Sequence, residues 1–251
     1  MDLGIAGKVA IVTGGGRGIG RATAILLAKW GARTVTADLN REAAEETVSE
    51  IQKLGGEAEA ARVDVCMEKQ VISFFEEVSR KYARIDILVN VVGGGKPARV
   101  GEITSSEWDD MFAFNTKSCF LCSREAARRM AASGGGRIIN VASLAGQTSS
   151  VLQGAHYSAS KAAVIGLTRH MARELGPMGI HVNAIAPGTT STERIELQMT
   201  PEKRQTLISR IPLRRLGTPE DQAGVILFLA SSLSNYVTGV TIDVSGGILL
   251  G

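Results

Sequence analysis

A doubly wound α/β domain, built on one seven-stranded parallel sheet flanked by helices, is the fold class this sequence predicts. Three observations carry that reading. Strand-like and helix-like segments alternate from residue 8 to residue 247, the signature of a parallel sheet with helices on both faces. Stretches such as "VAIVT" and "ILV" are apolar without interruption, as in strands covered on both sides. Glycine triplets at 14–16 and 93–95 come shortly after two of those strands, where the loops of an open sheet line a ligand crevice.

Each element has a local reason. The first strand is read at 8–13 and runs into glycines; helix 20–31 follows on the spacing of Ala22, Ile25, Leu26 and Trp30. A strand at 33–38 precedes an amphipathic helix at 41–56, closed by two glycines. Strand 57–65, helix 69–83 and the buried strand 85–90 come next. One long helix is expected over 105–132, opened by a serine cap. Strand 136–143 leads to helix 156–177, which Gly176 and Pro177 stop, and then to strand 180–188. Helix 219–231 starts with proline in its first turn, and strand 240–247 is the last.

The 251 residues suit one domain spanning 1–251, and a chain of this size buries roughly 70–75% of its unfolded surface without staples. A net charge of +3 on scattered basic residues excludes nucleic acid as the expected partner. No apolar run reaches the length of a membrane span, and "MDLGIAGKVAIVTGG" lacks the basic region of a signal peptide, so a cytoplasmic protein is expected. The three cysteines, Cys66, Cys119 and Cys122, fit a reducing compartment rather than a disulfide framework. Cys119 and Cys122 lie mid-helix with no second pair for zinc. His156, His170 and His181 have no metal-ligand spacing, so no metal site is expected.

"TGGGRGIG" (13–20) places Gly14, Gly18 and Gly20 between the first strand and the first helix. Glycines there let the backbone turn tightly and approach a pyrophosphate, which the helix N-terminus then attracts. Asp38 ends the second strand about twenty residues on. A carboxylate there accepts both ribose hydroxyls of an adenosine half and repels a 2′-phosphate, which favours NAD; Arg17 pulls mildly towards NADP. In "HYSASKAAVIGL", Tyr157 and Lys161 stand one helical turn apart on one face. Alone, that pair reads as a packed tyrosine beside a snorkelling lysine, and the other motifs are needed to make it a site.

Taken in order, these motifs resemble the short-chain dehydrogenase/reductase family over about residues 7–247. "TGGGRGIG" looks like its coenzyme loop, Asp64 in "VDV" like its adenine contact, "VNVVG" (89–93) like its N-N-A-G, Asn115 in "FAFNTKS" and Ser143 in "NVASLAG" like its catalytic asparagine and serine, Tyr157 and Lys161 like its Y-x-x-x-K, and "PGTTST" (187–192) like its P-G-x-x-x-T. The resemblance implies a Rossmann-type domain and an NAD-dependent enzyme interconverting a secondary alcohol and a ketone. It implies coenzyme contacts from Gly14, Arg17, Gly18, Ile19, Gly20, Asp38, Leu39, Asp64, Val65, Asn90, Gly93, Pro187, Gly188, Thr190 and Thr192, with Tyr157 and Lys161. Catalytic roles fall to Asn115, Ser143, Tyr157 and Lys161, and substrate contacts to Ser143, Gln153 and Tyr157. A free phenol has a pKa near 10, so Lys161 is expected to lower that of Tyr157 and make it an acid/base. Ser143 would share the charge on the substrate oxygen, and Asn115 would position a relay water.

The sequence departs from the family at Val91 and Val92, where an asparagine and an alanine are usual, and this puts one polar contact in doubt. Lys96 and Arg99 are read as loop charges that could attract an acidic substrate. Residues 189–210 are expected to form a mobile lid. A homotetramer, burying the helices near 105–132 and 156–177 and the last strand, is implied by the resemblance. The rival enzyme is an NADPH-dependent 3-oxoacyl-[acyl-carrier-protein] reductase, and the rival of another class is a non-catalytic dinucleotide sensor.

Overall fold

The computed structural model describes residues 2–150, 152–197 and 199–249. Seven parallel strands form one sheet in the order β3-β2-β1-β4-β5-β6-β7. They are β1 (Val9–Thr13), β2 (Arg33–Asp38), β3 (Glu57–Arg62), β4 (Ile87–Asn90), β5 (Gly136–Val141), β6 (Ile180–Pro187) and β7 (Thr241–Val244). Helices α1 (Gly18–Lys29), α2 (Arg41–Lys53), α3 (Glu68–Tyr82), α4 (Ser105–Phe112), α5 (Ser118–Ala132), α6 (Ala155–Leu175), α7 (Glu193–Glu196), α8 (Pro201–Arg210) and α9 (Pro219–Ala230) connect them.

The unbroken apolar strands are explained by a core on each face. Alternate side chains of β1 point opposite ways: Val9 and Ile11 join Phe75, Leu88, Leu121 and Met130, whereas Ala10 and Val12 join Leu27, Ile185, Ile226 and Leu229. Cys122 is buried in the first of these cores and Cys119 in a smaller neighbouring one. Asp86 anchors one end of the sheet; its buried carboxylate accepts from the Val9 amide at 2.9 Å and pairs with Lys8 and Arg84.

Strand order reverses between β1 and β4, which lie side by side with Thr13 opposite Asn90. Two neighbouring strands whose connections leave in opposite directions open a crevice beyond their carboxyl ends. The glycine loop, the tail of β4 and the loop after β6 all emerge there.

Two departures from the sequence reading bear on this crevice. The helix expected over 105–132 is interrupted: Ala113–Lys117 forms a π-helical turn between α4 and α5. Residues 63–65 leave the ladder after Arg62, so β3 is shorter than expected. The segment 189–210 holds two helices, α7 and α8, and Gln198 between them lies outside the described residues.

Candidate active site at the carboxyl end of the sheet

The glycine loop bends back against β2 and α2. A side chain on Gly16 would lie 3.0 Å from the Asp38 carboxylate and 2.8 Å from Ala43, and one on Gly18 would lie 3.2 Å from Thr192. Gly20 packs so tightly that an added Cβ would sit 2.0 Å from the Gly14 carbonyl oxygen. Asp38 accepts from the Gly16 and Asn40 amides, each at 3.0 Å. It is not the cap of α2; Asn40 is, through the Ala43 amide, so Asp38 remains at the mouth of the loop. Leu39 beside it is 60% exposed. Arg17 is exposed and, among the described residues, makes no ion pair. Asp64 accepts from the Cys66 amide, and Val65 is buried. Ile19 packs its side chain on the α1–α9 core, leaving only its backbone to the loop.

Beyond β4 the chain carries no side chains at Gly93, Gly94 and Gly95, and the functional groups gather there. A Cβ on Gly93 would fall 2.7 Å from both Asn115 Oδ1 and Lys161 Nζ, and one on Gly95 2.7 Å from the Tyr157 ring and 2.9 Å from Gln153 Oε1. The carbon skeletons of Tyr157 and Lys161 therefore address the same glycine stretch, as their i, i+4 spacing on α6 requires. Asn115 is buried in the π turn. Its Oδ1 accepts from the Gly94 amide at 2.8 Å, and its Nδ2 donates to the Gly94 and Met111 carbonyls. Lys161, 3% exposed, donates to the Val141 carbonyl at 2.7 Å. Ser143 stands at the end of β5, its hydroxyl accepting from the Ala145 amide.

The electrostatics differ from the sequence expectation in one respect. Burial raises the pKa of Tyr157, and what pulls it back is the Ser143 hydroxyl and the cation of Arg194 rather than Lys161. Lys161 is itself lowered from 10.5 to about 8, first by burial, with Arg194 acting in the same direction. The ammonium points at Val141, and that orientation separates its charge from the phenol.

Other expectations are redistributed. The Asn90 amide is spent inside the protein on Ser123 and Asn140, both at 2.9 Å, so its side chain braces β4 against β5 and α5 instead of lining the crevice. The valines after it take apolar roles: Val92 covers Gly14, and Val91 packs on the second core while its amide donates to Thr13. His156 is wholly buried, and among the described residues neither of its ring nitrogens has a partner. Lys96 is neutralised by Glu107. From β6, Gly188 donates to Val244, Pro187 pairs with Val244, and buried Thr190 accepts from Gln222. Thr192 stands at the residue before α7, beside Gly18, without a side-chain hydrogen bond to the helix. Arg194 was not legible in the sequence: a lone cation in a segment of mixed polarity gives no signal until the turn after Thr192 aims it inwards.

A family model described as enoyl-(acyl carrier protein) reductase matches residues 14–249. The 7alpha-hydroxysteroid dehydrogenase of Escherichia coli (strain K12) is 39% identical over 98% of this chain and 96% of its own. The chain belongs to the short-chain dehydrogenase/reductase family. Similarity to 3-oxoacyl-[acyl-carrier-protein] reductase FabG of Thermotoga maritima is comparable, 40% over 97% of this chain and 98% of that one. Among solved structures, 7 alpha-hydroxysteroid dehydrogenase complexed with NADH and 7-oxo glycochenodeoxycholic acid superposes with a TM-score of 0.94 at 39% identity, covering 98% of this chain and 96% of that chain. This short-chain dehydrogenase/reductase is thus an oxidoreductase acting on CH–OH groups, with the seven-stranded parallel sheet of its structural relatives.

Proposed function

We propose that this enzyme interconverts a secondary alcohol and a ketone with NAD, using Tyr157 as its acid/base. The observation that carries the reading is the convergence of Tyr157, Lys161 and Asn115 on the side-chain-free stretch Gly93–Gly95, with Ser143 in reach of the phenol. The loop fits a dinucleotide: Gly14, Gly16 and Gly18 let its backbone turn tightly against Val92, Ala43 and Thr192 where a side chain would collide, and the Asp38 carboxylate stands at its edge. Gly14, Arg17, Gly18, Ile19 and Gly20 would hold its diphosphate; Asp38, Leu39, Asp64 and Val65 its adenosine half; Asn90, by its backbone, Gly93, Pro187, Gly188, Thr190 and Thr192 its nicotinamide half. When bound, NAD supplies the hydride acceptor.

In ketone reduction the neutral Tyr157 phenol gives its Oη proton to the substrate oxygen, and in alcohol oxidation its phenolate takes that proton back, while the Ser143 hydroxyl donates to the same oxygen and shares its charge. Gln153, its Oε1 buried without a partner among the described residues, lies against Gly95 and would orient the substrate. Lys161, held on the Val141 carbonyl, would bind the nicotinamide ribose, and Asn115 fixes the Gly94 backbone that frames Tyr157 and Lys161. Repulsion between Asp38 and a 2′-phosphate is what favours NAD, and a relative of this chain has been solved with NADH. The similarity to 3-oxoacyl-[acyl-carrier-protein] reductase supports the rival NADPH reading. Steady-state kinetics with both coenzymes decide between them: NADH is expected to exceed NADPH in kcat/KM by at least about tenfold, and an NADPH preference overturns the Asp38 argument. A small-molecule substrate, no membrane partner and a homotetramer in the cytoplasm complete the proposal; among the described residues no helix is long and apolar enough to cross a membrane.

A further inference from the structure

We propose that Arg194 is a subsite for an anionic group of the substrate, a carboxylate carried a few bonds from the reacting carbon; this rests on the reading of Tyr157 as the acid/base. From α7 the guanidinium reaches across the cleft to the carbonyls of Gly93, at 3.5 Å, and Gly95. It fills the side-chain space of Gly94, where an added Cβ would lie 1.7 Å from Nη1. Gly95 in turn lies against the Tyr157 ring. An anion on this cation would therefore stand one residue's width from the phenol.

Among the described residues, no carboxylate forms an ion pair with Arg194, and none acts on Tyr157 or Lys161. The nearby acids are engaged or face elsewhere: Glu196 is taken by Ser191 and Arg204, Glu107 by Lys96, and Glu193 faces Gly18. Carbonyl oxygens satisfy guanidinium hydrogen bonds without cancelling the charge. Two partly or wholly buried cations, Lys161 and Arg194, thus face one cleft, which raises the local concentration of anions. The guanidinium fork matches a carboxylate bidentately, with a directional preference that an ammonium lacks. Its hydrogen bonds fall on Gly93–Gly95, the stretch beside which the nicotinamide half would bind, so the test reads NADH affinity together with that of the acids.

The test compares wild type, Arg194→Lys and Arg194→Leu on 3-oxobutanoate, 4-oxopentanoate and 4-oxocyclohexane-1-carboxylate, each against its methyl ester. Turnover is followed by NADH absorbance, and binding to the enzyme–NADH complex by quenching of bound-NADH fluorescence. Wild type is expected to bind at least one acid about 10–100-fold more tightly than its ester. Arg194→Leu is expected to lose that preference through KM rather than kcat, and Arg194→Lys to keep part of it. The NADH dissociation constant is expected to stay within about twofold. Equal binding of every acid and its ester by wild type overturns the proposal. So does an Arg194→Leu variant that weakens NADH as much as it weakens the acids, since the cation would then belong to the coenzyme's diphosphate. Acids that bind preferentially without any NADH oxidation leave the subsite standing and refute the Tyr157 reading instead.

Discussion

Burial places Lys161 where its charge is least favoured, and the consequence is measurable. Its pKa falls from 10.5 in the ordinary lysine to about 8 in the fold. Between those values the unfolded chain binds more protons than the folded one, so this residue makes stability rise with pH across that window. Below about pH 8 the full burden is present, on the order of 3 kcal/mol at about 1.4 kcal/mol per unit. Lys161→Met is therefore expected to gain stability at pH 7, less what the lost bond to Val141 contributes, while losing turnover. Urea midpoints of both proteins at pH 7 and pH 9.5 check it, and the gap should narrow at the higher pH. Tyr157 shifts the other way, raised by burial, so the free enzyme holds it as a neutral acid at pH 7. Tyr157→Phe is expected to lower kcat about 10²–10⁴-fold with NADH affinity kept, read by single-turnover and fluorescence titration. The i, i+4 spacing made this pair legible in the sequence, because helix geometry alone brings the two side chains to one face. The direction of the ammonium was not, because it depends on the Val141 carbonyl, twenty residues away in sequence. Asn90 shows the same limit: a motif position names a residue type, while its neighbours Ser123 and Asn140 decide where the amide points.

At the scale of the element, the π turn at Ala113–Lys117 does what a regular helix could not. One extra residue in a turn rotates the helix before it by about 100° relative to the helix after it, and π turns gather at functional sites. Here it lets buried Asn115 face Gly94 while Cys119, Leu121 and Cys122 of α5 remain in the cores. Deleting Ala113 is expected to leave far-UV helicity almost unchanged and to lower kcat by about 10² or more; normal turnover would show that the pin on Gly94 is dispensable. Sequence periodicity saw one helix from 105 to 132, because both halves carry helical spacing and the insertion leaves no compositional mark. Most other elements were legible to within a few residues, their unbroken strands and capped helices being local properties. β3 ends at Arg62 because its partner β2 ends at Asp38, and β7, read to residue 247, likewise stops at Val244 opposite Pro187, the last residue of β6.

Across the whole molecule, α4, the π turn and α5 carry three exposed aromatic side chains, Trp108, Phe114 and Phe120 at 40%, 39% and 42%, and β7 is an edge strand with every residue only partly buried. Patches of this kind mark association faces. Light scattering is expected to give about four times the 26.5 kDa chain mass, and Phe120→Asp to lower it. The sheet also divides its duties between two ends. Asp86 ties the amino ends of β1 and β4, so Asp86→Asn is expected to destabilise by about 2 kcal/mol in urea with the KM for NADH unaltered. The crevice lies at the opposite end, on loops whose removal of a side chain leaves the two cores intact. Laboratory selection for a new ketone should accordingly find its winners in 96–103, 147–153 and 193–210 without sacrificing thermal tolerance, whereas Gly93–Gly95, already crowded by the side chains around them, should return almost no survivors.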